Sequence, residues 1–319
     1  MNAAVVTTFN APPRYTTFAD PVPADSEKLV TVTAAGLHPL VRSLSSGAHY
    51  GSGGHLPFVA GVDGVGRLED GARVYFGLPR APFGAFSELS LAGPAICIPL
   101  PDGLDDVTAA GSANPAMSCW VALTARAKFV AGESVLILGA TGSAGQFAVQ
   151  VAKRLGARRV IACGRNPHAL EKLTDLGADA TIPLDQHEAL VSAFRRERDE
   201  FGIDIVLDYL WGPPASAALE AIAQKGLSKT APRVRYVQIG SMAGQTIPLH
   251  SATLRSSGLE LLGSGFGSAS LDQIRDAIAG FFAAAAIAPF HADIKAVPLR
   301  DVEALWNAPE HAARLVFQP

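Results

Sequence analysis

The sequence predicts an α/β protein, a doubly wound parallel sheet preceded by a β-rich module. Three observations predict it. Ser134 to Leu138 is a short, apolar, partly β-branched run, as a parallel strand covered on both faces requires. Gly139, Gly142 and Gly145 follow at three-residue spacing and open an apolar-periodic segment that runs to Lys153 and reads as a helix. From about residue 116 strands and helices alternate, whereas residues 3 to 100 show only short β-branched or alternating segments broken by Gly and Pro clusters.

Taken in order, Met1-Asn-Ala-Ala-Val-Val-Thr-Thr-Phe-Asn10 has no basic segment ahead of its brief apolar stretch and reads as a first strand rather than a secretory signal. Lys28 to Thr33 and Ala72 to Phe76 are further strands of the first module. The strands expected in the parallel sheet are Ser134 to Leu138, Arg158 to Cys163, Ala180 to Pro183, Ile203 to Leu207, Val234 to Ile239 and Leu259 to Leu262. A helix is expected from Leu271 to Ala285, followed by an extended tail, Arg314-Leu-Val-Phe-Gln-Pro319, that returns to the first module. The expected domains are therefore 1–115 with 266–319, and 116–265.

Composition limits the partners. Hydrophobic residues make up 49% of the 319 and charged residues 17%, which suits buried cores rather than disorder. Net charge is −3 with no long run of Lys and Arg, so neither nucleic acid nor a membrane surface is expected as the main partner, and a small molecule is. The apolar run Ala277 to Phe290 carries Pro289 and is too short to span a bilayer, so it reads as a buried helix. Three cysteines, Cys97, Cys119 and Cys163, match neither a disulfide framework nor a zinc motif, and a reducing cytoplasm fits them.

Strand, glycine turn, helix and second strand make a βαβ unit of about 30 residues, the context in which such glycines cradle a dinucleotide. The first glycine permits the tight turn, the second lets backbone approach a pyrophosphate, and the third lets the helix pack closely on the strand. Ala140, Thr141, Gly142, Ser143 and Ala144 are the candidate phosphate-binding residues at the helix N-terminus. An NAD site offers an acidic residue at the end of the second strand, but here that strand ends Cys163-Gly-Arg-Asn166. Arg165 is placed to pair with a 2′-phosphate, Asn166 to donate a hydrogen bond and Gly164 to leave space, so NADPH is the expected cofactor.

The order of parts resembles the medium-chain dehydrogenase/reductase superfamily, and within it the zinc-independent quinone oxidoreductase branch. The resemblance covers nearly the whole chain. It is carried by Ala35-Gly-Leu-His-Pro-Leu40, Gly47-Ala-His-Tyr50, Leu56-Pro-Phe-Val-Ala-Gly-Val-Asp-Gly-Val-Gly66, Gly84-Ala-Phe-Ser-Glu88, Gly139 to Gly145 and Gly263-Ser-Gly265. It implies a Rossmann domain beside a GroES-like catalytic domain, with the substrate pocket between them. Where zinc-dependent relatives carry a Cys and a His-Glu pair, this chain has His38, and Val62 with Asp63, and it lacks a cysteine lobe. No metal is therefore expected, and the irregularly spaced His38, His49 and His55 read as solvated or packing side chains.

By the same resemblance, Ser118, Leu210, Ile239, Gly240, Ser241, Ser264 and Phe266 fall on segments that contact the cofactor. His38 and Tyr50 are the candidate catalytic residues, His38 standing where the branch often has Asn and Tyr50 offering a ring and hydroxyl to a flat enone. The implied reaction is hydride transfer from NADPH to a quinone or an α,β-unsaturated carbonyl compound, by a homodimer joined along the last sheet strand. A catalytically silent NADPH-binding redox sensor is the alternative.

Overall fold

The computed structural model describes every residue except 50, 53–54, 224–230 and 309–312. It divides into two units, Met1–Asn114 with Ile278–Pro319, and Pro115–Ala277. The first crossover falls between Asn114 and Pro115. The second falls later, inside the Leu271–Ile287 helix.

In the unit built on Pro115–Ala277, six described strands form one sheet. Across the sheet they run Ala180–Pro183, Arg159–Gly164, Ser134–Leu138, Ile205–Asp208, Arg233–Gln238 and Gly258–Gly263, and every pairing is parallel. All five residues of Ser134–Leu138 are buried, which is why Val135 to Leu138 is uninterruptedly apolar. The chain order reverses at this strand, whose neighbours lead off in opposite directions. Open α/β sheets bind ligands beyond the strand C-termini at such a reversal. Helix Ser143–Arg154 follows directly and buries Phe147, Ala148, Val151 and Ala152.

The other unit is β-rich. Among its described residues, Asn2–Val6 lies between Arg14–Thr17 and Phe58–Val59 in a small antiparallel sheet. A larger sheet runs Ile294–Pro298, Arg314–Gln318, Lys28–Gly36, Asp63–Arg67, Arg73–Gly77 and Cys97–Pro99, with Leu89–Ala92 also paired to Lys28–Gly36. The C-terminal tail returns here, Val316 opposite Gly36 and Phe317 opposite Ala35. Burial drives that return: Phe317 packs edge-on against Phe86 at 5.2 Å between ring centres, and Trp306 does so at 6.4 Å. The tail also explains why the Lys28 strand runs on to Gly36, beyond the alternating segment visible in sequence.

Candidate functional site

The Gly139 turn closes tightly because Gly139 has φ +89, a conformation in which a side chain is strained. The turn is pinned to the neighbouring strand, with the Gly139 and Ala140 amides both donating to the Cys163 carbonyl at 2.9 Å. A methyl group on Gly145 would sit 2.3 Å from the Gly139 carbonyl oxygen, so only glycine lets this helix start against this turn. Gly142 is the helix N-cap and brings no side chain to the first-turn amides, which belong to Ser143 and the residues after it. The arrangement is a backbone cradle of the kind that holds a phosphate. Gln146, which the sequence did not single out, donates from its side-chain amide to the Thr141 carbonyl at 3.2 Å and steadies the loop.

At the end of the adjacent strand, Gly164 is as constrained: its Cβ would lie 2.4 Å from the Thr141 methyl. Arg165 and Asn166 follow and are exposed. Asn166 caps the next helix, its side-chain oxygen accepting from the Ala169 amide at 3.2 Å, so only its amide nitrogen remains to donate. Buried beneath, the Cys163 thiol is pushed up to about 12 by desolvation and then by the charge of Asp208. It is chemically inert.

Asp208 is the organising residue on the other side, and sequence reasoning missed it as such. Its Oδ1 accepts from the Leu210 and Trp211 amides at 2.8 and 2.9 Å, and its Oδ2 from the Tyr236 hydroxyl at 2.7 Å. Burial raises its pKa against the pull of those three bonds, and burial with the Asp208 charge holds the Tyr236 hydroxyl well above its usual range. The Asp208 carbonyl accepts from the Ile239 and Gly240 amides at 2.7 and 3.0 Å, which draws the Ile239–Gly240–Ser241 segment to the same end of the sheet. Leu210 lies against Gly139, and the Ser264 amide donates to the Gln238 carbonyl at 2.8 Å. Ser118 joins through Tyr209: its hydroxyl donates to the Pro115 carbonyl at 2.8 Å and lies 3.4 Å from the Tyr209 hydroxyl. Burial keeps that tyrosine protonated.

These contacts bring the glycine turn, Gly164–Asn166, Leu210, Ile239–Ser241, Ser264 and Ser118 together at the C-terminal end of one parallel sheet. Phe266 is half-buried on the segment after Ser264. Trp211 holds φ +55, a strained backbone for a bulky residue, and with Gln238, Ser241, Leu262 and Gly263 lines an open depression of about 370 Å³.

His38 belongs to a different cluster, in the β-rich unit. It ends the Lys28–Gly36 segment and starts the Pro39–Ser45 helix; its neighbour Leu37 is held by the returning tail, the Leu37 amide donating to the Leu315 carbonyl at 2.9 Å. The ring is 1% exposed, with Nε2 3.0 Å from Asp63 Oδ1. Asp63 Oδ2 accepts from the Tyr75 hydroxyl at 2.6 Å, and burial, then the Asp63 charge, pushes that hydroxyl well above its usual range. Tyr50, the other catalytic candidate, lies outside the described residues. Among the described residues no group of three or more His, Cys, Asp or Glu could hold a metal ion, and no helix is long and apolar enough to cross a membrane.

Comparison with known proteins agrees with this architecture. The family described as zinc-binding dehydrogenase matches residues 144–282. A probable NADPH-dependent quinone reductase of Emericella nidulans is 29% identical over 366 aligned positions that cover 100% of both chains. A mycocerosic acid synthase-like polyketide synthase of Mycobacterium tuberculosis is 29% identical over 227 positions, 68% of this chain but only 10% of that much longer protein. Among solved structures, the quinone oxidoreductase of Thermus thermophilus, also determined in complex with NADPH, superposes with a TM-score of 0.82 at 25% identity over 100% of both chains. The chain is thus similar over its whole length to a quinone reductase and a quinone oxidoreductase, and over residues 144–282 to the zinc-binding dehydrogenases.

Proposed function

We propose that this protein is an NADPH-dependent oxidoreductase that works without zinc and reduces a quinone or an α,β-unsaturated carbonyl compound. The observation that carries the reading is the glycine cradle, where Gly139, Gly145 and Gly164 each occupy a place that a side chain would strain or fill. These residues fit a dinucleotide. Ala140 to Ala144 would hold the pyrophosphate, Arg165 and the Asn166 amide the 2′-phosphate, and Leu210, Ile239 to Ser241, Ser264, Phe266 and Ser118 the ribose and nicotinamide. When bound, NADPH supplies a hydride to the acceptor. The absence of zinc is proposed because His38 and Asp63, at the superfamily's metal positions, are hydrogen-bonded to each other.

Purified protein should oxidise NADPH in the presence of quinones or enones, and do so undiminished in a chelator. It should prefer NADPH over NADH by about 1.5–3 kcal/mol, the value of a hydrogen bond to a charged group, and Arg165→Ala should remove the preference. No turnover with either acceptor class, or a preference that survives the substitution, would reject the assignment.

The proposal includes a homodimer in reducing cytoplasm. The Gly258–Gly263 strand is the outer strand of its sheet and exposes Leu261 at 39%, an edge that favours pairing with a second copy. Light scattering at micromolar concentration should give twice the chain mass; a monomer there would reject the assembly.

A further inference from the structure

We propose that Tyr209 is a positioning residue that holds the Ser118 hydroxyl as a hydrogen-bond acceptor for the carboxamide N–H of the cofactor's nicotinamide. The inference rests on the NADPH reading above and deepens it, and every residue it uses lies within the Pro115–Ala277 unit.

Placement comes first. Arg165 follows the strand on one side of Ser134–Leu138, and Tyr209 follows the strand on the other. A dinucleotide laid across this reversal with its 2′-phosphate at Arg165 turns its nicotinamide half toward Tyr209. That residue is wedged among three segments assigned above to the cofactor. Its amide donates to the Leu138 carbonyl at 3.1 Å, directly before the glycine turn, and a methyl group on Gly139 would sit 3.3 Å from its Cβ. Its carbonyl accepts from the Met242 amide at 3.4 Å, and a methyl group on Gly240 would come within 2.7 Å of that oxygen. Its hydroxyl reaches Ser118 at 3.4 Å.

Counting protons then fixes the polarity of Ser118. A serine hydroxyl has one hydrogen to donate and two lone pairs with which to accept. The hydrogen goes to the Pro115 carbonyl at 2.8 Å, a bond of ordinary length to the preceding turn of the same helix. The longer contact therefore has the phenol as its donor. Burial, then Cys119 beside it, hold the Tyr209 hydroxyl well above its usual range, so it keeps the proton it must donate. Ser118 is half-buried and has no further partner among the described residues. One lone pair is left to a ligand.

A ligand that meets this hydroxyl must bring a donor. The nicotinamide carboxamide carries N–H on one side and C=O on the other, so an acceptor at Ser118 selects which way that flat group turns. Without the Tyr209 hydroxyl, Ser118 keeps its bond to Pro115 but loses the donor that fills one lone pair and so fixes the direction of the other. Tyr209 acts through Ser118.

The test is calorimetric titration of the full chain with NADP⁺ and with its 3-acetylpyridine analogue, in which a methyl replaces the amide nitrogen and no N–H remains. Wild type should bind the analogue more weakly, and Ser118→Ala should shrink the ratio of the two Kd values by about threefold to tenfold, the value of one neutral hydrogen bond. Ser118→Thr keeps the hydroxyl and should keep the ratio. Tyr209→Phe keeps the ring and should shrink the ratio by less than Ser118→Ala does. 2′-Phosphoadenosine diphosphate ribose, which lacks nicotinamide, should bind wild type and every variant within about twofold, the scatter expected of independent sites. A ratio that Ser118→Ala leaves unchanged, or a Tyr209→Phe that weakens the nicotinamide-free fragment as much as NADP⁺, would overturn the inference. The Ser118 variants keep it falsifiable even if Tyr209→Phe does not fold. If neither NADP⁺ nor the fragment binds, the cofactor reading itself fails; if both bind and the ratio ignores Ser118, only this inference does.

Discussion

The two units contain the same small device, a tyrosine hydroxyl donating to a buried carboxylate, and use it differently. Tyr236 donates to Asp208 at 2.7 Å, and Tyr75 to Asp63 at 2.6 Å. The second oxygen makes the difference. In Asp208 it is consumed by two backbone amides, so the carboxylate is a bracket that ties the end of one strand to the loop after it. In Asp63 it meets an imidazole whose remaining nitrogen has no partner among the described residues. One set of bonds is closed, and the other leaves a buried ring nitrogen open.

The largest effect that would break this contrast is on stability. Asp208→Ala leaves the Leu210 and Trp211 amides and the Tyr236 hydroxyl without their acceptor, and should destabilise the protein by about 3 kcal/mol, seen as a fall in the denaturation midpoint. Tyr236→Phe removes one bond to a charged acceptor and should cost about 1.5–3 kcal/mol, with kcat at saturating substrates unchanged. Tyr75→Phe removes a bond of the same kind in the other unit and should cost about 1.5–3 kcal/mol as well. If Tyr236→Phe leaves the denaturation midpoint unchanged, the reading of Asp208 as a bracket fails.

The glycine turn was legible because its chemistry is local. Ser134–Leu138 and Ala180–Pro183 have the limits that pattern alone assigns. Where ends differ, a distant partner decided them. The expected strand Val234 to Ile239 instead covers Arg233–Gln238, because the Ile239 amide turns to the Asp208 carbonyl. The expected helix Leu271 to Ala285 continues to Ile287. His38 could be singled out as a polar residue in a motif, but its pairing with Asp63 crosses 25 positions, a helix and a short strand, and obeys no period. Asp208 was hidden for the same reason: its role depends on Tyr236, 28 positions away on the neighbouring strand. Local patterns show where backbone is shaped, and only the fold shows which buried polar atoms are satisfied.

The smallest expected effect uses a thiol to read the charge of the bracket. Cys163 is fully buried and pushed up from 9.0 to about 12, first by desolvation and then by Asp208. A group whose pKa is raised in the folded state holds its proton more tightly there than in the unfolded chain. Its contribution to stability is therefore fully present below 9.0 and is lost as pH rises toward about 12. Between pH 8 and pH 10 the unfolded thiol ionises and the folded one does not, which amounts to about 1.4 kcal/mol. Denaturant melts of the wild type and of Cys163→Ala at those two pH values should differ in slope by that amount, with the variant flatter. Equal slopes would mean that Cys163 ionises in the folded protein, which neither its burial nor a charged Asp208 beside it permits.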